Sequence, residues 1–124
     1  MITTRIDHLA FRVSDIDKIS GLLKQLGYVE VRRTAHHGGA LEMENPEQPG
    51  LVLEFTTLDK KKDSDEMEEP GFDHAGFNLT QEQLNELVAA GFPTAGNPRL
   101  NPESGRLLES FKDSDGIKWQ FTVN

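Results

Sequence analysis

A short motif occurs twice in this chain, as IDHLAF at positions 6–11 and as FDHAGF at positions 72–77. Its two histidines, His8 and His74, lie 66 positions apart. The same offset aligns further pairs in both halves: Asp7 with Asp73, Phe11 with Phe77, Gly39 with Gly105, Leu41 with Leu107, Gly50 with Gly116, Glu54 with Gln120 and Phe55 with Phe121. A constant offset over most of both halves indicates a duplicated module. The chain is therefore expected to fold as two copies of one unit.

The first copy is predicted to contain a strand, a helix and then further strands. Apolar residues recur at helical spacing from Ile16 to Leu26, which predicts an amphipathic helix. Ser14 and Asp17 resemble a capping box at its start, and Gly27 suits the left-handed conformation that often ends a helix. The short alternating segments YVEVRR, ALEME and LVLEF then predict strands.

The second copy repeats this order. Thr80 and Gln83 form the corresponding capping box, and apolar residues between Leu84 and Val88 continue the helical pattern. Gly91 is the predicted end of this helix, which the alignment makes two residues shorter than the first. The segments RLLESF and IKWQFTV then predict strands.

The segment DKKKDSDEMEEPG at positions 59–71 separates the two copies. It is highly charged and almost free of apolar residues, which is typical of a solvated linker. The predicted modules are therefore residues 1–58 and 72–124. A chain of 124 residues has the size of one domain, so the two modules are expected to form a single domain together.

Composition excludes several classes of protein. The formal net charge of −8 argues against binding to nucleic acids or anionic membranes, because both require a basic surface. The absence of cysteine excludes disulfides, zinc fingers and thiol catalysis. No apolar run approaches the roughly 20 residues that a membrane span needs, and the first residues lack the apolar core of a secretory signal. A cytoplasmic protein is expected.

Side-chain alternation along strands assigns polar residues to one face. Leu9 and Phe11 share a face suited to packing under a helix, and His8 points the opposite way. The same parity places three more polar residues opposite the apolar side of their strands: Glu54, His74 and Gln120. Such residues are ordinarily solvated, but their matching positions in the two copies favour a shared role. Two imidazoles, a carboxylate and an amide oxygen suit a divalent metal ion that keeps positions open for substrate.

The segments IDHLAF, LVLEF, FDHAGF and DSDGIKWQF together resemble the vicinal oxygen chelate superfamily over nearly the whole chain. DSDG is similar to the Asp-x-Asp-Gly turn that is usual in this family. The resemblance implies an α+β fold in which two tandem βαβββ modules form a curled mixed sheet around a cleft. It also implies a homodimer.

The resemblance further implies a set of site residues. The implied ligands of a divalent cation (Ni, Co, Mn, Fe or Zn) are His8, Glu54, His74 and Gln120. The implied activity is that of a glyoxalase-like lyase or isomerase, which abstracts a proton next to a carbonyl through an enediolate-like intermediate. Gln120 stands where glyoxalase-type members have Glu, and an amide cannot accept a proton. Glu54 is therefore the predicted catalytic base.

The predicted substrate contacts are Arg12 and Asn78. Arg12 matches an arginine that glyoxalase-type members use on a glutathione carboxylate, and Asn78 shares its strand face with His74. The pair at His36 and His37 in AHHGG is either a second acid–base group or a polar loop.

Two alternatives to this assignment remain open. Glu42 and Glu109 on inner strands are further candidates for the base. The sequence does not determine which face of the sheet their side chains take. The rival function is a non-catalytic, bleomycin-resistance-like protein that sequesters a small molecule.

Overall fold

The structure is a computed structural model that describes residues 4–35, 39–102 and 104–124. The predicted acid–base pair His36 and His37 lies outside these residues. The elements follow the order β1 (Arg5–Val13), α1 (Ile16–Lys24), β2 (Val29–Thr34), β3 (Ala40–Glu44), β4 (Val52–Thr57), β5 (Gly71–Leu79), α2 (Gln81–Ala89), β6 (Arg99–Asn101), β7 (Arg106–Lys112) and β8 (Lys118–Val123). Within the described part of the chain, neither helix has the length and hydrophobicity needed to cross a membrane.

The chain divides into two compact units. The first unit is His8–Asp73, and the second is His74–Asn124 together with the start of β1 up to Asp7. Neighbouring strands follow the order β2-β3-β4-β1 in the first unit and β5-β8-β7-β6 in the second. In each unit the first strand pairs parallel with the last, and the other pairings are antiparallel. The predicted α+β fold, with two βαβββ modules and mixed strand directions, is confirmed.

The first helix is capped by a different residue from the one predicted. Asp15, not Ser14, is the N-cap of α1, and its carboxylate accepts a hydrogen bond from the backbone N–H of Lys18 at 3.1 Å. A carboxylate satisfies a free N–H of the first turn and also interacts favourably with the positive end of the helix dipole. The capping box of Ser14 with Asp17 is therefore a wrong prediction.

The second helix begins as predicted. Thr80 Oγ1 accepts from the backbone N–H of Gln83 at 3.1 Å, and the backbone N–H of Thr80 donates to Gln83 Oε1 at 2.9 Å. This reciprocal pair is the predicted capping box. Both helices span nine residues, so the predicted difference in helix length is wrong. Compared with the first copy, the second copy is instead one residue shorter before its helix and one residue shorter between the end of the helix and the glycine that follows it.

The predicted glycines, Gly27 and Gly91, lie just after the ends of the two helices. Gly27 has φ 90° and Gly91 has φ 88°, a conformation that strains any residue with a Cβ. In α1 the backbone N–H after the glycine, that of Tyr28, donates to the carbonyl of Leu23 at 3.1 Å. Phe92 makes the equivalent bond in α2. These bonds satisfy carbonyl groups at the ends of the helices.

Each unit has its own apolar core between its helix and its strands. The buried cluster of the first unit consists of Ile16, Leu23, Leu41, Met43 and Phe55. The buried cluster of the second unit consists of Leu79, Leu84, Phe121 and Val123. Partly buried Phe11 and Phe77 pack against these clusters, so the strand face predicted to lie under the helix is confirmed.

The offset of 66 holds for the last strand of each copy but not for the strand before it. Phe11 pairs with Phe55 and Phe77 pairs with Phe121, as the alignment predicts. On its other side, however, Phe55 pairs with Leu41 on β3, whereas Phe121 pairs with Glu109 on β7. The counterpart of Leu41 is therefore Glu109 and not Leu107. The turn between β7 and β8 is shorter than the turn between β3 and β4, which moves the alignment by two residues.

The charged segment predicted as a linker belongs to the first compact unit and folds back on itself. Lys60 and Met67 form an antiparallel bridge, and the backbone N–H of Lys61 donates to the carbonyl of Glu66 at 2.8 Å. Nearly all of its side chains are exposed to solvent. The segment is thus an ordered, charged excursion between β4 and β5.

Glu30 on β2 links this strand to α1 through a network of charges. The Ser20 hydroxyl donates to Glu30 Oε2 at 2.6 Å, Arg33 Nε donates to Oε1 at 3.1 Å, and Lys24 Nζ lies 3.2 Å from Oε2. The hydrogen bonds from Arg33 and then Ser20 are the main causes that lower the pKa of Glu30 from 4.5 to about 2. A carboxyl group with a depressed pKa stabilises the folded state above its unfolded pKa and loses this contribution as the pH falls.

We therefore expect Glu30→Gln to destabilise the protein at pH 7 by about 1 kcal/mol, because Glu30 is exposed and solvent screens its partners. The difference from wild type should shrink between about pH 4.5 and pH 2. Urea unfolding midpoints across this range measure it, with the exposed Glu47→Gln as the control. A difference that does not change with pH would contradict the assignment.

Candidate functional site

In the first unit, His8 and Glu54 lie on the same face of the sheet, away from α1. β1 and β4 run parallel with His8 opposite Val52 and Ala10 opposite Glu54, so His8 and Glu54 are diagonal neighbours. His8 is only 4% exposed and Ala10 only 3%.

The second unit repeats this arrangement residue for residue. His74 lies opposite Lys118 and Gly76 opposite Gln120, so His74 and Gln120 are diagonal neighbours in the same sense. His74 is 6% exposed. The Gln120 amide nitrogen donates to Ser110 Oγ at 3.4 Å, an orientation that turns the amide oxygen away from Ser110.

Burial distinguishes the two histidines from ordinary residues of a solvated strand face. Both are buried although they lie on the face of the sheet that points away from the apolar cores. Two positions along β8 from Gln120, the hydroxyl of Thr122 is also buried and has no hydrogen-bond partner among residues 4–35, 39–102 and 104–124. A buried polar group without a partner costs about 1–3 kcal/mol, and such groups call for an explanation such as a bound ligand or water.

The donor chemistry of His8, Glu54, His74 and Gln120 fits a divalent metal ion, since imidazole, carboxylate and amide oxygen are all suitable ligands. The described side chains, however, contain no group of three or more His, Cys, Asp or Glu that could hold a metal ion. Each unit by itself contributes one imidazole and one oxygen donor. The metal site accordingly stays a prediction.

A row of charged side chains crosses the same face of the first unit. Arg32 on β2 lies opposite Glu42 on β3, and Glu42 lies opposite Glu54 on β4. The Arg32 guanidinium is 3.6 Å from the carboxylate of Glu42, which is 8% exposed. Two carboxylates directly opposite each other destabilise a sheet, and Arg32 offsets part of this repulsion. The facing of Glu42, unresolved by its sequence, is thus settled: it shares a face with Glu54.

Strict alternation along VEVRR would not have placed Arg32 on this face. Glu30 lies opposite Met43 on the core side, and a register shift between Glu30 and Arg32 turns Arg32 to the other side. Bulges of this kind often redirect a side chain next to a functional site. The sequence carries no signal for it, because VEVRR reads as a regular strand.

Glu109, the other base candidate, lies on the opposite side of its sheet. Its carboxylate accepts hydrogen bonds from the Thr94 hydroxyl at 2.5 Å and from the backbone N–H groups of Gly96 at 3.0 Å and Asn97 at 2.7 Å. It pairs in register with Phe121 of the core. Glu109 therefore anchors the segment after α2 and is not placed to act as the base.

The two predicted substrate contacts, Arg12 and Asn78, both have protein partners. The Arg12 guanidinium forms an ion pair with Asp73, and its Nε donates to the carbonyl of Glu69 at 3.1 Å. The side-chain oxygen of Asn78 accepts a hydrogen bond from Asn124. A substrate contact by either residue stays a prediction, and it would require the exchange of one of these bonds.

The predicted Asp-x-Asp-Gly turn before the last strand is formed. The Asp113 carboxylate accepts from the indole N–H of Trp119 at 2.9 Å and from the backbone N–H groups of Asp115 at 2.9 Å and Ile117 at 3.0 Å. The bond from Trp119, followed by that from Ile117, holds the pKa of Asp113 below its usual value. Gly116 has φ 79°, which glycine adopts without strain. The turn fixes the start of the strand that carries Gln120.

Comparisons with solved structures show proteins with a similar fold. The hypothetical protein BH1468 of Bacillus halodurans C-125 superposes with a TM-score of 0.71 at 14% identity, over 99% of this chain and 96% of that one. Methylmalonyl-CoA epimerase from Mycobacterium tuberculosis gives 0.70 at 15% identity, over 95% and 86%. A Streptomyces coelicolor methylmalonyl-CoA epimerase variant in complex with 2-nitronate-propionyl-CoA gives 0.66 at 16% identity, over 97% and 94%.

At these identities the likeness shows a common fold. A comparison with curated proteins finds no match. The model of the Glyoxalase/Bleomycin resistance protein/Dioxygenase superfamily, in contrast, matches residues 5–121, nearly the whole chain. The chain therefore belongs to the Glyoxalase/Bleomycin resistance protein/Dioxygenase superfamily.

Proposed function

We propose that this protein is a metal-dependent isomerase or lyase of the epimerase or glyoxalase type, acting on the carbon next to a carbonyl of a small substrate. The observation that carries the proposal is the repeated pair of a buried imidazole and a diagonal oxygen donor, His8 with Glu54 and His74 with Gln120. The epimerases among the structural neighbours support this choice of reaction.

We propose His8, Glu54, His74 and Gln120 as the ligands of a divalent cation such as Ni²⁺, Co²⁺, Mn²⁺, Fe²⁺ or Zn²⁺. One carboxylate among three neutral donors would leave a net positive charge at the site. A cation bound there would polarise a substrate carbonyl and stabilise negative charge on its oxygen, an effect worth several kcal/mol.

Glu54 is the proposed base that takes the proton from the substrate carbon. Its side chain is half-buried, and it is the only carboxylate among the four proposed ligands. Glu42, the carboxylate directly opposite, forms the ion pair with Arg32. This ion pair holds Glu42 in place and keeps a positive charge near the two carboxylates, which leaves Glu54 as the group that exchanges the proton.

The experiment for this role compares Glu54→Gln with Glu42→Gln. Exchange of the substrate proton with deuterated water is followed by NMR on two panels, thiol adducts of 2-oxoaldehydes and acyl-CoA thioesters with an acidic α-hydrogen. Loss of a general base typically lowers the rate about 10²- to 10⁴-fold. We expect this loss in Glu54→Gln, with bound metal largely retained. Full activity in Glu54→Gln together with its loss in Glu42→Gln would transfer the role to Glu42.

A non-catalytic small-molecule binder is the second candidate. The observation in its favour is that the described residues contain no group of three or more His, Cys, Asp or Glu able to hold a metal ion. Protein that acquires no metal and exchanges no substrate proton would support this candidate. The predicted homodimer is a separate proposal, which light scattering on the purified protein tests directly.

A further inference from the structure

Carboxylates are unequally distributed between the two units on the sheet faces that carry the proposed ligands. In the first unit this face holds three of them, on Glu42, Glu44 and Glu54. In the second unit the corresponding face of β5 to β8 carries His74 and Gln120, but no Asp or Glu within the part of the chain that the structure describes. An amide cannot accept a proton, and a lysine or arginine side chain has no acceptor. Every carboxylate on these two described faces therefore belongs to the first unit.

Glu54 and Glu42 are immediate neighbours on the face of the first unit. They lie directly opposite each other on the antiparallel strands β4 and β3, and residues paired in this way have Cα atoms about 4.5–5.5 Å apart. Arg32 lies 3.6 Å from the carboxylate of Glu42, which is 8% exposed, so this side chain is held in place. Glu44 accepts from the backbone N–H of Gly50 at 2.7 Å and thus fixes the turn after β3. Glu54 and Glu42 leave the sheet in the same direction.

The position of the carboxylates restricts the kind of proton transfer. An epimerisation inverts a carbon: its proton leaves on one side of the substrate, and another proton arrives from the opposite side. Each acid–base group must come within about 3–3.5 Å of that carbon, so the two groups are about 6–7 Å apart with the carbon between them. Neighbouring side chains that leave one sheet face in the same direction do not enclose a carbon in this way. Removal and return of a proton on one side, in contrast, needs a single acid–base group.

We propose that this protein removes and returns the substrate proton on one side only, with Glu54 as the single acid–base group. This inference rests on the proposed function and narrows it. In the first step the C–H bond breaks, the proton passes to the Glu54 carboxylate, and the electron pair moves onto the carbonyl oxygen. In the second step the same carboxyl group returns the proton to the same side of that carbon or of its neighbour, and a carbonyl group forms again. The substrate is therefore a carbonyl compound whose hydrogen shifts between neighbouring carbons, and not one of a pair of epimers.

Exchange of chiral thioesters in deuterated water tests this inference. The probes are the separate enantiomers of 2-hydroxypropionyl-CoA and of 2-phenylpropionyl-CoA, together with any chiral compound of the two panels above that exchanges its proton. The protein is loaded with each proposed metal in turn. Mass spectrometry measures deuterium at the α-carbon, and chiral chromatography measures the inverted enantiomer. The variant is Gln120→Glu, which supplies the face of the second unit with a carboxylate. The matched control is Gln48→Glu, the same change in the exposed turn between β3 and β4.

In wild-type protein we expect deuterium to enter at least tenfold faster than the inverted enantiomer forms. In Gln120→Glu we expect this ratio of exchange to inversion to fall at least tenfold, and in the control to stay within twofold of wild type. Inversion as fast as exchange in wild-type protein would overturn the inference and leave the proposed function standing. An unchanged ratio in Gln120→Glu would also overturn it, because the missing carboxylate of the second unit would then not be the cause. Wild-type protein that exchanges no proton of any probe or panel compound would refute the inference and the proposed function together.

Discussion

In His74→Ala protein, we expect the affinity for a divalent cation to fall at least about 100-fold. Mutation of residues that only orient a metal ligand typically lowers affinity 10- to 100-fold, so removal of a ligand should have at least this effect. His74 is 6% exposed, and its replacement removes the only imidazole on β5. Competition with a chromogenic chelator for Ni²⁺, Co²⁺, Mn²⁺ and Zn²⁺ measures the affinity, with bound metal quantified by mass spectrometry.

The His8→Ala variant sharpens this experiment. If the two histidines are ligands of one ion, each single variant should lower affinity by a similar factor and the double variant should bind no metal tightly. Asn78→Ala serves as the control, since it alters the same strand face without removing a proposed ligand. Unchanged affinity in His74→Ala, or a loss in His8→Ala alone, would refute the four-residue ligand set.

The second large effect concerns the core of the second unit. Leu84 on α2 is fully buried, at 0% exposure, and packs with Leu79, Phe121 and Val123. Replacement of a buried leucine by alanine loses apolar burial and leaves a cavity, which typically costs 2–5 kcal/mol. We expect Leu84→Ala to lower the free energy of unfolding by about this amount, as measured by urea denaturation.

The same substitution at Leu22 on α1 is the control. Leu22 is 55% exposed, so Leu22→Ala should change the free energy of unfolding by no more than about 0.5 kcal/mol. Both changes replace leucine by alanine inside a helix of nine residues, which keeps the difference in helix propensity the same. Equal effects of the two variants would contradict the assigned core.

Much of the fold followed from local patterns. Alternation along β1 and β5 separated His8 and His74 from the phenylalanines that pack under the helices, because strand geometry fixes the parity of side chains. The capping box at Thr80 and the two helix-ending glycines were also readable, since each depends on residues close in sequence. The duplication offset also predicted that Glu54 is placed relative to His8 as Gln120 is placed relative to His74.

Other features depend on contacts that a sequence pattern does not contain. The position of Arg32 depends on a bulge in the pairing of β2 with β3, which the regular alternation of VEVRR does not signal. The constant offset aligned β3 with the wrong residues of β7. The turn between β7 and β8 is shorter than the turn between β3 and β4, and this difference in turn length shifts the whole of β7 relative to β3. The burial of both histidines was likewise not predictable, because polar residues on a strand face are ordinarily solvated.

The pair Leu41 and Glu109 shows how far the two copies have become specialised. Both stand opposite the same phenylalanine of the repeat, yet Leu41 is fully buried and Glu109 receives three hydrogen bonds from the segment after α2. A leucine at 109 would leave two backbone N–H groups and a hydroxyl without their acceptor, and a glutamate at 41 would place a charge in an apolar core. The two positions are consequently no longer interchangeable: exchange of Leu41 and Glu109 between the halves would deprive one half of a core side chain and the other of the acceptor for its loop.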